Sequence, residues 1–123
     1  MHAGFPSPAQ DYMSGGIDLN RELVHHPEAT FYVRVTGDSM TDAGISDGDV
    51  LVVDRSLEPH PGAVAVCYLD GEFLVRRLRY GGTGSKSMVL EAANAAYQPI
   101  IINPDSDFSV WGIVAWIIKK VEK

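Results

Sequence analysis

The alternation of apolar and polar side chains predicts a chain built mostly of short β-strands. Residues 31–36 alternate in this way and include β-branched and aromatic side chains, a pattern typical of a half-buried strand. Residues 50–54 form an apolar run that follows turn residues, which predicts a buried strand. Five further strands are predicted at residues 63–68, 72–80, 88–91, 100–102 and 108–118, and Asp70-Gly71 is a strong hairpin signal between two of them. Together these elements indicate a mostly antiparallel β-domain.

One short helix is predicted near the start of the domain. Asp18 is a good N-cap, because its side chain can accept a hydrogen bond from the first helical turn. Apolar residues follow at helical spacing as far as Val24, and Pro27 ends the segment. The residues before the helix are rich in Gly, Pro and Ser, which favours an extended course. We therefore expect a flexible arm at residues 1–16 and a single β-domain at residues 17–123.

Charge and length narrow the classes of function. The chain has 123 residues, of which 46% are hydrophobic, enough for the modest core of one domain. Its formal net charge is −6, and its basic residues are spread out except around Arg76, Arg77 and Arg79. Binding to a phosphate backbone needs a broad basic surface, which this composition lacks. We therefore do not expect direct DNA binding as the main role.

Cysteine content and hydropathy favour the cytoplasm. Cys67 is the sole cysteine and lies within an apolar run, which indicates a small buried core residue rather than a reactive thiol. No disulfide can form within the chain, as is usual for cytosolic proteins. The first 16 residues contain no apolar segment typical of a secretory signal. The longest apolar run, residues 110–118, is far shorter than the roughly 20 residues of a membrane helix, so we expect no membrane anchor.

Candidate catalytic chemistry lies in the turn Gly37-Asp38-Ser39-Met40, which follows the first predicted strand. The glycine permits a sharp turn that can leave neighbouring N–H groups free to face a developing oxyanion. Ser39 would then be held as a nucleophile beside a rigid scaffold. Most Gly-Asp-Ser tripeptides are ordinary turns, however, so the local pattern alone is compatible with either interpretation.

A longer motif extends this turn. Residues 44–54 read Gly-Ile-x-Asp-Gly-Asp-x-Leu-x-Val-Asp, and with residues 37–40 they resemble the nucleophile segment of the LexA/UmuD family of self-cleaving Ser-Lys peptidases. Residues 3–12 resemble the scissile region and arm of the UmuD branch, residues 17–27 its first helix, and residues 70–75 its central hairpin. The resemblance covers nearly the whole chain. It implies a LexA/UmuD C-terminal peptidase-like fold of short antiparallel strands, with one short helix and a flexible N-terminal arm.

The same resemblance implies roles for individual residues. Ser39 would be the nucleophile and the main-chain N–H of Met40 an oxyanion donor. Ala3-Gly4 would be the scissile pair, in which small residues let an extended strand enter a narrow cleft. Cleavage there would remove three residues, so we expect the chain to be close in length to the processed form of a UmuD-like protein.

The position of the general base departs from the family pattern. The family places a lysine directly after the valine of a Val-Lys-x-Leu run, and this chain has Val75-Arg76-Arg77-Leu78. Guanidinium stays protonated in proteins and cannot accept the serine proton. Lys86 is a candidate substitute base, although it lies beyond a glycine-rich turn. We predict that self-cleavage is weak or absent.

Other motifs carry no comparable signal. Residues 81–87 superficially resemble a phosphate-binding loop, but the glycine required before the lysine is replaced and the spacing fails. His25 and His26 lie at a helix end without matching ligand spacing, so we expect no metal and no cofactor. Trp111 and Trp116 should face opposite sides of a strand, one in the core and the other exposed at an interface.

Two functions from different classes follow from the resemblance. The first is a homodimeric UmuD-like accessory subunit that binds a UmuC-like Y-family translesion polymerase and a RecA filament during the bacterial SOS response, reaching DNA only indirectly. The second is an active self-cleaving serine peptidase in which Ser39 attacks Ala3-Gly4, stimulated by the RecA filament. A LexA-like repressor would also need a helix-turn-helix ahead of the domain, and these 123 residues contain none. The arginine at position 76 favours the first function.

Overall fold

A computed structural model describes residues 16–81 and 87–122. Within these ranges the chain forms seven strands and one short α-helix, which confirms the predicted mostly β fold. The strands are β1 (Thr30–Arg34), β2 (Val50–Asp54), β3 (Val64–Leu69), β4 (Glu72–Tyr80), β5 (Met88–Glu91), β6 (Ile100–Ile102) and β7 (Phe108–Ile118). Helix α1 spans Leu19–Leu23, and single 3-10 turns span Pro27–Ala29 and Thr41–Ala43. No helix in these ranges is long and apolar enough to cross a membrane.

All seven strands belong to one antiparallel sheet in the order β1-β2-β7-β3-β4-β5-β6. The predicted β3–β4 hairpin is confirmed: Asp70 and Gly71 have φ angles of 48° and 95°, both in the left-handed region that a two-residue hairpin turn requires. The last strand, β7, lies between β2 and β3, and its register shifts once against each neighbour. Such irregularities bend a strand and increase its twist.

Helix α1 begins where the sequence predicts and ends earlier. Asp18 caps it, accepting a hydrogen bond from the Arg21 N–H at 3.3 Å. The predicted helical spacing reaches Val24, where the backbone is already extended, so the helix ends one residue earlier. A tertiary contact accounts for this: His26 Nδ1 lies 2.6 Å from Asp54 Oδ2, which holds the chain against the end of β2.

Two apolar clusters lie on opposite faces of β3, because alternate residues of a strand point to opposite sides. The first cluster includes side chains of the segment 35–45. Its buried members are Val35, Met40, Ile45, Leu51, Val53 and Val66. The second contains Ala63, Ala65, Cys67, Leu78, Leu90 and Ile113. Cys67 is fully buried, and burial raises its pKa to about 12, so it is a core residue as predicted. The first cluster is the one that supports the candidate site.

The two tryptophans occupy different environments. Trp111 packs against the first cluster and its ring contacts Phe31 and Phe73 at centroid distances of 5.2 and 6.2 Å. Trp116 is 40% exposed. Trp111 is therefore partly buried against the core and Trp116 is exposed, so the two differ as predicted, while an interface at Trp116 remains a prediction.

Two buried carboxylates stabilise the ends of β2. Asp49, just before the strand, accepts hydrogen bonds from Lys119 Nζ at 2.6 Å and from the Ser46 N–H at 2.8 Å. Asp54 ends the strand and contacts His26, while its other oxygen accepts from the hydroxyl and N–H of Ser56. The first pair joins β2 to the end of β7 and the second joins it to the segment after α1.

Gly112 is a close-packing position, and a methyl group there should destabilise the fold. A Cβ at this position would lie 2.5 Å from Val53 Cγ1, an atom of a fully buried side chain. Overpacking of this kind costs about 1–3 kcal/mol, so Gly112→Ala should lower the free energy of unfolding in urea by that amount. The double variant with Val53→Ala removes the clashing atom and should lose less than the sum of the two single changes. Strict additivity would contradict this explanation.

Stability should fall in acid partly through Asp49. The hydrogen bond from Lys119, together with that from the Ser46 N–H, lowers the pKa of Asp49 below its ordinary value. The stabilisation is therefore present above the ordinary carboxyl pKa and is lost as pH falls through the lowered value. We expect Asp49→Asn to show a shallower decrease in unfolding free energy between neutral and acid pH. The matched change at exposed Asp42, Asp42→Asn, should keep the parental slope, and equal slopes for the two variants would refute the assignment.

Candidate active site

The turn that carries Ser39 is fixed by main-chain hydrogen bonds on the β1 side. The Val35 N–H donates to Asp49 O at 2.8 Å, and the Gly48 N–H donates to Val35 O at 2.9 Å. Gly37 has a φ angle of 93°, which favours glycine, and its N–H donates to Asp47 Oδ1 at 2.8 Å. The longer motif of residues 44–54 thus supports the serine turn directly.

Residues 93–97 also support the serine turn, through hydrogen bonds to Asp38 and Ser39. The Ala93 N–H donates to Ser39 O at 2.9 Å, and Asn94 Nδ2 donates to Asp38 O at 2.8 Å. The Tyr97 hydroxyl donates to Asp38 Oδ1 at 2.5 Å, and this contact with a carboxylate raises the pKa of Tyr97. Sequence reasoning treated residues 92–99 as an ordinary loop and missed these supports, because no periodicity marks them.

Met40 anchors the turn from below. Its side chain is 2% exposed within the first cluster, and its sulfur accepts a hydrogen bond from the Ala93 N–H at 3.3 Å. The main-chain N–H groups of Ser39 and Met40 donate to no acceptor within residues 16–81 and 87–122. Both main-chain donors are therefore unused among the described residues, as stabilisation of an oxyanion would require.

Arg76 reaches Ser39 from strand β4. Its Nη1 donates to Ser39 Oγ at 2.8 Å and to Val75 O at 2.8 Å. The arginine is only 8% exposed, and its guanidinium carbon lies 5.6 Å from the centre of the Tyr97 ring. The fold thus brings together two of the residues that the sequence singled out, although they lie 37 positions apart.

The direction of this hydrogen bond decides what the pair can do chemically. Burial lowers the pKa of Arg76, an effect that the electrostatic influence of Tyr97 and Cys67 opposes. A guanidinium nevertheless remains protonated in proteins, so its nitrogen has no lone pair for the serine proton. Ser39 Oγ accepts from Arg76 and keeps its own proton. The geometry places a permanent cation in hydrogen-bonding contact with the serine hydroxyl.

Ser39 and Arg76 open onto a cavity of about 420 Å³ between the end of β1 and strand β4. Its walls are mainly apolar, with Val33 and Val35 on one side and Phe73 and Val75 on the other. Its polar lining comes from Arg34, Thr36, Asp38, Ser39, Arg76 and Tyr97. A cleft with apolar walls and a small number of polar groups is typical of a ligand-binding site.

The remaining candidate residues lie elsewhere. Ala3, Gly4 and Lys86 fall outside the described residues. Of the two candidate histidines, His26 contacts Asp54 and His25 Nε2 lies 3.0 Å from Glu22 O. In the described part of the chain, no cluster of three or more His, Cys, Asp or Glu side chains could hold a metal ion.

Comparison with known proteins identifies the family of the chain. A family model described as Peptidase S24-like matches residues 1–115. Protein ImpA of Salmonella typhimurium is 35% identical over 127 aligned residues, which cover 98% of this chain and 80% of ImpA. Protein MucA of Escherichia coli is 42% identical, covering 91% and 75% respectively. Protein SamA of Salmonella typhimurium is 38% identical, covering 96% and 79%. These matches confirm the resemblance identified from the sequence, and the chain belongs to the Peptidase S24-like family.

Proposed function

We propose that the protein is a UmuD-like accessory subunit of an error-prone translesion DNA polymerase, acting in the bacterial SOS response through binding rather than peptide hydrolysis. Membership of the Peptidase S24-like family and the similarity to ImpA, MucA and SamA support the UmuD-like role. The hydrogen bond from Arg76 Nη1 to Ser39 Oγ supports the loss of hydrolysis.

The chemical reason is the lack of a proton acceptor beside the nucleophile. Serine attacks an amide only when a neighbouring base removes its proton, and a lysine does so once burial has made it neutral. The residue that contacts Ser39 here is an arginine, which stays charged under the same burial. Self-cleavage between Ala3 and Gly4 is therefore weak or absent, while the cleft itself keeps its shape.

The partners in this proposal are a second copy of the chain, a UmuC-like Y-family polymerase and a RecA filament, all in the cytoplasm. The C-terminal end of β7 supports association, because Trp116, Ile117 and Ile118 are each about two-fifths exposed there. The net charge of −6 supports contact with DNA only through the polymerase.

The second candidate function is active self-cleavage, with Ser39 attacking Ala3-Gly4 on stimulation by a RecA filament. The free N–H groups of Ser39 and Met40 favour it, since they could stabilise a tetrahedral oxyanion. This function requires a base other than Arg76. Because Lys86 lies outside the described residues, the base has to be tested by experiment.

Restoring a lysine should restore cleavage. We expect the intact mass of the parent to stay constant during long incubation at mildly alkaline pH. Arg76→Lys should lose residues 1–3, because a buried lysine can become neutral and accept the serine proton. A positioned base typically accelerates such a reaction by about 10²–10⁴-fold. Adding Ser39→Ala to Arg76→Lys should abolish the loss.

The matched control is Arg79→Lys, which makes the same substitution on the same strand. Arg79 is exposed and pairs with Glu91. It should remain as stable in mass as the parent. Ser39-dependent loss of residues 1–3 from the parent would reveal a base other than Arg76 and would support the second function instead.

A further inference from the structure

We propose that Arg76 makes the cleft beside Ser39 a binding site for an extended peptide that ends in a free C-terminal carboxylate. The inference goes beyond the accessory role proposed above and assigns a ligand to the cleft itself. It depends on the charge and unused hydrogen-bonding capacity of Arg76 and on the donors around Ser39.

The Arg76 guanidinium is a buried cation without an acidic partner in the described part of the chain. The ion pairs there join His26 with Asp54, Arg79 with Glu91 and Lys119 with Asp49, the Asp residues being buried. Arg76 is 8% exposed and bonds only neutral oxygens, those of Ser39 and Val75. A buried charge is costly unless it is paired, so this guanidinium is suited to an anion supplied from outside.

The hydrogen-bonding capacity of Arg76 is also incompletely used. Its Nε is buried without a partner, and Nη2 bonds to no described residue. Nη1 supplies both of the hydrogen bonds that the side chain makes. A guanidinium has five donors in a planar fork that matches the two oxygens of a carboxylate.

The serine turn that Arg76 contacts also contains neutral donors. The hydroxyl oxygen of Ser39 already accepts from Arg76, so its hydrogen is free to donate to a ligand. The main-chain N–H groups of Ser39 and Met40 are without acceptors among the described residues. Grouped main-chain donors of this kind are a recurring means of capturing a C-terminal carboxylate.

The lining of the cleft and the free edge of β1 suit an extended peptide. The apolar residues of the lining include Val33, Val35, Phe73 and Val75, which can contact the side chains of such a peptide. Strand β1 is an edge of the described sheet and pairs only with β2, leaving its other edge for a peptide main chain. We therefore expect the anion that pairs with Arg76 to belong to the main chain of the peptide, as a terminal carboxylate does, rather than to an acidic side chain.

Other charges that line the cleft do not provide the missing anion. The Asp38 carboxylate accepts a hydrogen bond from the Tyr97 hydroxyl and forms no ion pair with Arg76. The other charged residue, Arg34, is itself a cation and bonds Gly48 O through Nη1. The negative charge of Asp38 also repels the carboxylate of an incoming ligand. Selectivity should therefore depend on direct contact with Arg76 rather than on the general charge of the protein.

The test measures binding of three fluorescein-labelled tetrapeptides by fluorescence polarisation. The first is Gly-Val-Val-Ala with a free C-terminus, and the second is the same sequence as a C-terminal amide. The third is Gly-Val-Val-Asp amide, which carries its carboxylate on a side chain. We expect the free acid to bind the parent protein at least about tenfold more tightly than either amide, as charge-assisted hydrogen bonds would give.

Arg76→Gln should abolish the preference for the free acid. The matched control Arg79→Gln, which removes an exposed arginine from the same strand, should keep it. Equal binding of acid and amide to the parent would overturn the proposal, and so would a preference that survives in Arg76→Gln. Equally tight binding of the aspartyl amide would overturn the assignment to a chain terminus.

A second measurement needs no variant and so does not depend on the folding of Arg76→Gln. In ¹H–¹⁵N spectra of the parent, the free acid should shift the amide signals of Ser39 and Met40 more than the amide peptide does. The absence of such a difference would overturn the proposal. Intact masses of protein and peptide, recorded in the same samples, report hydrolysis separately, so a failure of the proposed function is distinguished from a failure to bind carboxylate.

Discussion

The site depends on the hydrogen bond between Arg76 and Ser39, because Arg76 is a charged side chain buried in the protein and needs such partners. The guanidinium is tolerated there through Val75 O, Ser39 Oγ and the face of the Tyr97 ring. Each of these groups reduces the cost of removing the cation from water. Loss of any one leaves the same charge with fewer compensating contacts, so the site behaves as a coupled unit.

The position of Ser39 does not depend on that charge alone. The turn is fixed independently by the Gly37 N–H on one side and by the bonds from Ala93 and Asn94 on the other. Met40 adds a buried anchor that couples the turn to the apolar cluster beneath it. The support of the turn is therefore separate from the residue at position 76.

Sequence patterns predicted the strands well because alternation and turn residues are local signals. The resemblance to the LexA/UmuD family implied that positions 39 and 76 belong to one site, and Arg76 Nη1 does contact Ser39 Oγ. The end of α1 falls within one residue of the predicted spacing, while the contact of the following segment with β2 through His26 and Asp54 was not predicted. Asn94 and Tyr97 were missed because they reach Asp38 from 56 and 59 positions away, and no periodicity encodes such a contact.

The same donors can serve catalysis or retention of a peptide, and the residue at position 76 selects between them. Free N–H groups beside a serine stabilise a negatively charged oxygen whether it belongs to a tetrahedral intermediate or to a carboxylate. With a neutral lysine at position 76, the serine loses its proton and the intermediate forms. With a permanent cation at that position, the serine keeps its proton and the donors bind the carboxylate of a peptide rather than an oxyanion formed in a reaction. In our proposal, an arginine at position 76 thus favours holding a peptide end over making one.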